Sequence, residues 1–378
     1  MTLLITIAWI LVLLSILVIF HEFGHFLAAK LVGVHVEEFG LGYPPRVRIL
    51  FEKWKTKFSL NAIPLGGFVR LYGDDGETVE KGGSQQVLPA GVTKKNAFSE
   101  KSLFARLAII LAGVVVNFLF GVVAFAGIYS TIGIPTPRGE VVVTDVKADS
   151  PAAAAGLQSD DVITSFTNEA GEPVSLTTSD AFIAYVESHG EEEITFTIQR
   201  GEEQQTLQAI PQLVTVDGQE AIRIGIGLSD SELLFYPWWQ MPLRGAVVGL
   251  QDSVNLAVFI VQALRDMVVQ SFQEGTLPKE LSGPVGIVDQ TYQSGMLQQG
   301  WLARLNWMAL ISVNLAIMNL LPIPALDGGR AVFLLLEPIL GKARRLRWET
   351  WANNYGMMLL LGLIVLITLK DIWQIVVR

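Results

Sequence analysis

Four stretches of this chain contain no Lys, Arg, Asp or Glu: Met1–His21, Leu107–Pro137, Leu305–Leu326 and Thr350–Leu369. Each reaches the roughly 20 residues that a helix needs to cross a bilayer. Only 17% of the 378 residues are charged and 51% are apolar, whereas a soluble chain carries about a quarter charged residues. A single soluble globule is thereby excluded, and a polytopic α-helical membrane protein with four transmembrane helices is predicted. The first stretch has no basic leader and runs into His21–His25 without a small-residue cleavage site. It reads as a retained span rather than a removed signal peptide. Ser253–Leu264 offers only 12 uncharged residues between Asp252 and Arg265, too few to span, and is expected to be a partly buried or interfacial amphipathic helix.

The charges set the orientation. Lys30–Arg106 carries 12 basic and 8 acidic residues, Thr131–Pro242 carries 4 basic and 18 acidic, and the whole chain is −9. A basic cluster, Lys342-Ala-Arg-Arg-Leu-Arg347, lies between the last two stretches. Positive residues favour the cytoplasmic side, so Lys30–Arg106 and Lys342–Arg347 are expected inside, the acidic region outside, and both termini outside. An acidic chain lacks the basic footprint of a nucleic-acid binder, and no nucleic-acid partner is expected; the lipid bilayer is. The chain has no cysteine, which excludes disulfides, thiolate metal ligands and Cys nucleophiles.

The expected organisation is a first span over 1–33, a cytoplasmic or membrane-embedded loop with a β-hairpin over 34–102, and a second span over 103–132. An extracytoplasmic domain over 133–232 follows, then a linker with an interfacial helix over 233–300. A third span and its continuation occupy 301–340, a basic loop 341–349, and the fourth span 350–378. The outer region alternates short β-rich runs (Glu140–Val146, Asp161–Phe166, Glu193–Gln199, Gln205–Ile210, Ala221–Ile226) with the turn signals Glu-Ala-Gly-Glu and Val-Asp-Gly-Gln. One helical segment, Thr178–Ser188, interrupts them, and the pattern predicts a small β-rich domain.

His21-Glu22-Phe23-Gly24-His25 has the spacing H-E-x-x-H. On a helix, residues four apart share a face, so both imidazoles can reach one zinc ion while Glu22 acts as general base on a water. The apolar run from Leu3 continues through the motif to Val32, with Gly33 as its stop. Thirty helical residues span about 45 Å, so the motif falls in the cytoplasmic third of the first span, where ionisable residues are functional by default. A metzincin-type third His would occupy position 31, which is Leu. The candidate third ligand is Asp327, in Asn319-Leu-Leu-Pro-Ile-Pro-Ala-Leu-Asp-Gly-Gly-Arg330, where Pro322 and Pro324 loosen the helix and free backbone groups to line a site. The alternative is a loop Asp before a Gly-Gly turn. Topology is consistent with the ligand reading: His25 and Asp327 each follow an out-to-in crossing, provided that Ser253–Leu264 does not span.

Other candidates are substrate-facing. Lys57–Asp74 reads as two β runs around Pro64-Leu-Gly-Gly67. It is either a plain cytoplasmic hairpin or a membrane-embedded element to which a substrate adds as a strand, with Pro64, Gly66, Gly67, Phe68 and Val69 as contacts. Gly113, Asn117 and Gly121 are spaced by four, which suits close helix packing, or Asn117 supports the site. Asn319 is a candidate for holding substrate or an oxyanion, against a packing role.

These motifs resemble the site-2 protease family of intramembrane zinc metalloproteases, bacterial RseP type with a single PDZ domain. The resemblance covers nearly the whole chain and rests on His21–His25, Ala112-Gly-Val-Val-Val-Asn117-Phe, Ser282-Gly-Pro-Val-Gly-Ile287 and Asn319…Leu-Asp-Gly-Gly-Arg330. It implies a four-helix membrane core with a membrane-associated β-loop and an inserted β-rich PDZ-like domain, in the bacterial inner membrane, with the active site toward the cytoplasm. It implies one zinc ion on His21, His25 and Asp327, with Glu22 as base. The implied substrates are single-span membrane proteins such as anti-sigma factors or signal-peptide remnants, trimmed beforehand by an upstream site-1 protease.

Ser150-Pro-Ala-Ala-Ala-Ala-Gly-Leu157 followed by Asp161-Val-Ile163 resembles a PDZ signature, with Asp160 where a Gly is common. Ile224-Gly-Ile-Gly-Leu228 is a weak carboxylate-loop candidate that reads better as a strand, so the domain is expected to gate access sterically as much as to read peptides. The rival functions are a non-catalytic membrane scaffold with a structural metal, against which an intact Glu22 argues, and a metal transporter. A transporter would spread ionisable residues along its spans, whereas here they cluster at one depth.

Overall fold

In lipid a backbone satisfies its own hydrogen bonds only as a helix or a closed barrel, and the apolar stretches of this chain fold as long helices. The computed structural model describes residues 3–74, 89, 91–168, 171–216, 219–274 and 283–377. Residues 169–170 and 217–218, within the two turn signals, and Ser282 of the Ser-Gly-Pro motif lie outside the described residues. The chain forms two compact units, Met1–Ile128 with Leu243–Arg378, and Tyr129–Pro242.

The first unit begins with α1 (Leu3–Val32), β1 (Val36–Lys53), β2 (Thr56–Leu71) and α2 (Leu103–Ile132). Helix α1 stops at Gly33, whose φ of +75° suits glycine, and Val34 N–H donates to the Ala29 carbonyl. Trp54 and Lys55 join the two strands with φ of 52° and 58°, the conformation of a tight two-residue hairpin turn. Each strand then bends. Glu38 lies opposite both Arg70 and Lys57, and Leu41 opposite both Gly67 and Leu60, while Arg46–Lys53 pairs with Thr56–Asn61. Two long strands thus make four segments, in the order 46–53, 56–61, 36–41, 67–71, the two outer pairings antiparallel and the central pair, 56–61 with 36–41, in parallel register. Among the described residues no strand pairs along the outer edge of 67–71.

The second unit holds β3 (Ile134–Val146), α3 (Pro151–Ala154), β4 (Val162–Thr167), β5 (Pro173–Ser175), α4 (Ser179–Ser188), β6 (Ile194–Arg200), β7 (Glu203–Ala209), β8 (Gln212–Val216), β9 (Gln219–Arg223) and β10 (Ile226–Leu234). Its main sheet runs β10-β3-β4-β6-β7, with β5 on β4 and β8-β9 as a separate hairpin. Alternate residues of β6, Ile194, Phe196 and Ile198, are fully buried and meet Phe182 and Val186 of α4, as the period-2 and helical patterns dictate. The run Ala221–Ile226 is split by Gly225, whose φ is +82°, so it contributes to two strands. Asp160 has φ of +71°, the left-handed region where glycine is more usual.

The first unit resumes with α5 (Met241–Glu274), α6 (Pro284–Gln293), α7 (Trp301–Leu320), α8 (Asp327–Leu340) and α9 (Lys342–Val377). The short helix read over Ser253–Leu264 is corrected: it is the middle of one continuous 34-residue helix. Asp252 and Arg265 interrupt the uncharged run but not the backbone hydrogen bonding, so counting charge-free residues undercounts the helix. Among the described residues, five helices are by length and composition long and apolar enough to cross a membrane: α1, α2, Met241–Met267 of α5, α7, and Lys342–Gln374 of α9.

Candidate active site

The 3.6-residue period of α1 places His21 and His25 on one face, and their rings meet edge to face with centroids 4.7 Å apart. Asp327, the first residue of α8, points at both. Its Oδ2 lies 2.9 Å from His21 Nε2 and 3.3 Å from His25 Nε2, and the two Nε2 atoms are 3.2 Å apart. Glu22 lies beside them, within 4.8 Å through a carboxylate oxygen. His25 Nδ1 is 2.8 Å from the Ile109 carbonyl. That carbonyl only accepts, so Nδ1 carries the proton and a neutral His25 turns a lone pair toward Asp327. Two ring nitrogens and a carboxylate oxygen facing one another form a donor set suited to a cation between them. Tetrahedral zinc bonds of 2.0–2.2 Å put ligand atoms about 3.3 Å apart. The three observed separations fit that donor set, and the bond to Ile109 is the orienting contact that metal-binding histidines require.

Glycine permits this convergence. A Cβ on Gly113 would sit 2.5 Å from His25 Nε2 and 2.7 Å from His21 Cε1, and one on Gly24 would meet the Ala112 carbonyl. Helices α1 and α2 therefore cross closely at the motif itself. Asp327 is delivered by a tight turn after α7. Gly328 and Gly329 lie against the carbonyls of Leu320 and Ile323, leaving no room for a side chain. Ala325, at φ of +74°, donates its N–H to Asn353 Oδ1 of α9 at 2.9 Å.

A cavity of about 190 Å³ opens on this centre. Of the predicted substrate contacts, Gly67, Phe68 and Val69 line it, on the edge of the sheet that no strand among the described residues covers; the Val69 N–H donates to the Glu22 carboxylate, and a Cβ on Gly67 would lie 3.7 Å from Glu22 Cγ. Pro64, Gly66 and Asn319 are not among its lining residues. Asn319 is half-buried in the last turn of α7, and Pro324 packs against Gly356 of α9. Asn117 is fully buried, both side-chain polar atoms without a partner among the described residues, and it does not line the cavity. Pro322 does not line it either. Sequence reasoning missed Asp74 and Arg330, which join across the wall of the cavity at 2.7 and 2.9 Å. The available signal was an Arg ending the Leu-Asp-Gly-Gly-Arg run.

Residues 9–363 match Peptidase family M50. The chain belongs to that family. As a member of the site-2 proteases it is a zinc metalloprotease and a membrane protein. A relative from Rickettsia conorii is 31% identical over 375 residues, covering 95% of this chain and 96% of its own. The zinc metalloprotease RasP of Oceanobacillus iheyensis is 27% identical and covers 98% of this chain and 99% of its own. RasP of Geobacillus kaustophilus is 29% identical with 96% of each covered. Among solved structures, the PDZ domain of an SdrC-like protein from Listeria monocytogenes is 24% identical over 26% of this chain and 95% of its own, with a TM-score of 0.21.

Proposed function

We propose that this M50 protease is an intramembrane endopeptidase that hydrolyses peptide bonds of single-span membrane proteins within or near the bilayer. The carrying observation is the convergence of Asp327 at about 3 Å on His21 and His25, which an apolar 30-residue helix carries together with Glu22. These three residues would hold one zinc ion. When bound, that ion supplies Lewis-acid polarisation of the scissile carbonyl and acidifies water. Glu22 accepts the proton of the attacking water on its carboxylate and passes it to the leaving amine. The sheet edge Gly67–Val69 takes the substrate as an added strand, which keeps its carbonyls extended and open to attack. A membrane helix hides those carbonyls, so the substrate must unwind first.

The chain is proposed to cross the bacterial inner membrane four times, with Tyr129–Pro242 outside as a PDZ-like unit limiting access to pre-trimmed substrates such as anti-sigma factors or signal-peptide remnants. An upstream site-1 protease would do that trimming. Two packing contacts support four crossings. Helix α5 rests through Gly249 on Val122 and Phe125 in the last third of α2, and α6 begins with the Gly283 and Gly286 N–H groups donating to Asp371 near the end of α9. In this reading both helix ends are outer. A crossing by α5, about 51 Å long, would leave only the steps from Glu274 to Gly283 to return, a reach of about 30 Å.

The test is cleavage of a single-span substrate by the purified protein with zinc in detergent, beside Glu22→Gln. The variant should bind zinc and lose cleavage by at least about 100-fold, the scale of a general base. Equal cleavage by both would refute the assigned chemistry.

A further inference from the structure

The substrate edge and the third ligand rest on different supports. The sheet packs chiefly on α1, whereas α8 packs on α9 and α7. Yet Gly67–Val69 and Asp327 face the same cavity, and a scissile carbonyl held by the one must meet the metal ligand of the other. A direct polar link joins them. Asp74, three residues past the end of β2, accepts from Arg330 at 2.7 and 2.9 Å, and Arg330 sits three residues beyond Asp327, on the same face of α8. Both side chains line the cavity wall. Arg330 is backed by a chain of charges. Its Nε is 3.6 Å from Glu349, Glu349 pairs with Arg345, Arg345 lies 3.2 Å from Glu337, and Glu337 is held by both terminal nitrogens of Arg106 on α2 at 2.8 Å. This alternating series braces the guanidinium from α8, α9 and α2, so its orientation is fixed before Asp74 meets it.

Resting on the edge reading above, we infer that Arg330 and Asp74 are positioning residues that hold the substrate-binding edge in register with His21, His25 and Asp327. Among the described residues, neither side chain hydrogen-bonds or ion-pairs with His21, His25 or Asp327. Their work is geometric: one residue step along a strand is about 3.3 Å, and a displacement of about 1 Å of a reacting group costs on the order of 100-fold in rate. Loss of the link therefore lowers turnover and lets neighbouring bonds reach the centre, while the edge still binds.

The experiment uses the full chain in detergent and a single-span substrate, with Asp74→Asn, Arg330→Gln and their double variant. Products are mapped by mass spectrometry and zinc per chain is measured by metal analysis. Because the chain has no cysteine, Val69→Cys in a Glu22→Gln background also reports edge occupancy through a disulfide to a single-cysteine substrate. Each single variant should turn over about tenfold more slowly, cleave at several adjacent bonds, and retain zinc and the cross-link. The double variant should be no worse than Arg330→Gln. Cleavage confined to the original bond in both single variants overturns the inference, as does loss of zinc in parallel with turnover. Absence of the cross-link with Asp74 and Arg330 intact overturns the edge reading itself.

Discussion

At Gly113 one hydrogen atom in place of a methyl group separates a usable pair of histidines from a blocked one. A methyl there would stand 2.5 and 2.7 Å from ring atoms of His25 and His21, well inside van der Waals contact. Both rings lie at the close approach of α1 and α2, so a methyl there would push them off the positions that face Asp327. Alanine is the best helix former, so Gly113→Ala should leave α2 intact and act on the rings alone. Zinc affinity, measured by competition with a chelator, should fall by about 10- to 100-fold, the range seen when an orienting contact of a metal ligand is lost. Helical content by circular dichroism should be unchanged. Unchanged zinc affinity would mean that the rings can shift without cost. In the sequence Gly113 reads as one member of a small-residue stripe, because the pattern shows that helices approach there but not what lies between them.

Among elements, the zinc motif and its helix were legible because their geometry is local: four residues make one face, and an uncharged run sets the helix. The support of Asp327 was not, because it comes from partners that no local pattern connects. Asn353 holds Ala325 across 28 residues, and Arg330 meets Asp74 across 256. Asn353→Ala should therefore loosen the turn that presents Asp327. About 1 kcal/mol of hydrogen bonding is lost, read as roughly fivefold weaker zinc retention with Glu22 chemistry otherwise intact. The second unit has its own buried clasp. Asp161, 1% exposed, accepts two 2.7 Å bonds from Arg200, which ties the start of β4 to β6. The Arg200 guanidinium, aided by the Gln158 N–H, holds the Asp161 carboxyl below its usual range against the opposing effect of burial. A lowered folded-state pKa stabilises the fold above the ordinary Asp value of about 3.9, and that stability is lost as the pH falls further. Amide protection factors in β4 and β6 of the full chain, corrected for the intrinsic exchange rate at each pH, should thus be flat near neutrality and fall below about pH 4. Asp161→Asn should be less protected throughout and lose that acid step. An acid step of the same size in both proteins would assign it to other carboxylates.

On the scale of the whole molecule, the contact between His25 and Asp327 constrains how the chain threads the bilayer. His25 lies at the inner end of α1 in the proposed orientation, and Asp327 directly follows α7. For the two to touch, the chain must cross an even number of times between them. Helices α2 and α7 supply two crossings, and a complete crossing by α5 would make three and carry Asp327 to the opposite face. Under the proposed arrangement, one of the five helices that qualify by length and hydropathy among the described residues would not complete a span. Helix α5 is the candidate, because its charges Asp252 and Arg265 are costly at the bilayer centre, and because Gly249 near its start and α6 after it pack on the ends of α2 and α9 that are proposed to be outer. The charge distribution fits that proposal: the 12 basic residues of Lys30–Arg106 and the 18 acidic ones of Thr131–Pro242 would lie on opposite sides. The cysteine-free chain allows a clean measurement. Single Ser188→Cys, Gln298→Cys and Lys55→Cys variants, labelled with an impermeant maleimide in sealed inverted and right-side-out vesicles, should place 188 and 298 on one side and 55 on the other. Labelling of position 298 from the side of position 55 would make α5 a true span and would overturn the four-crossing arrangement, because α7 would then carry Asp327 to the face opposite His25.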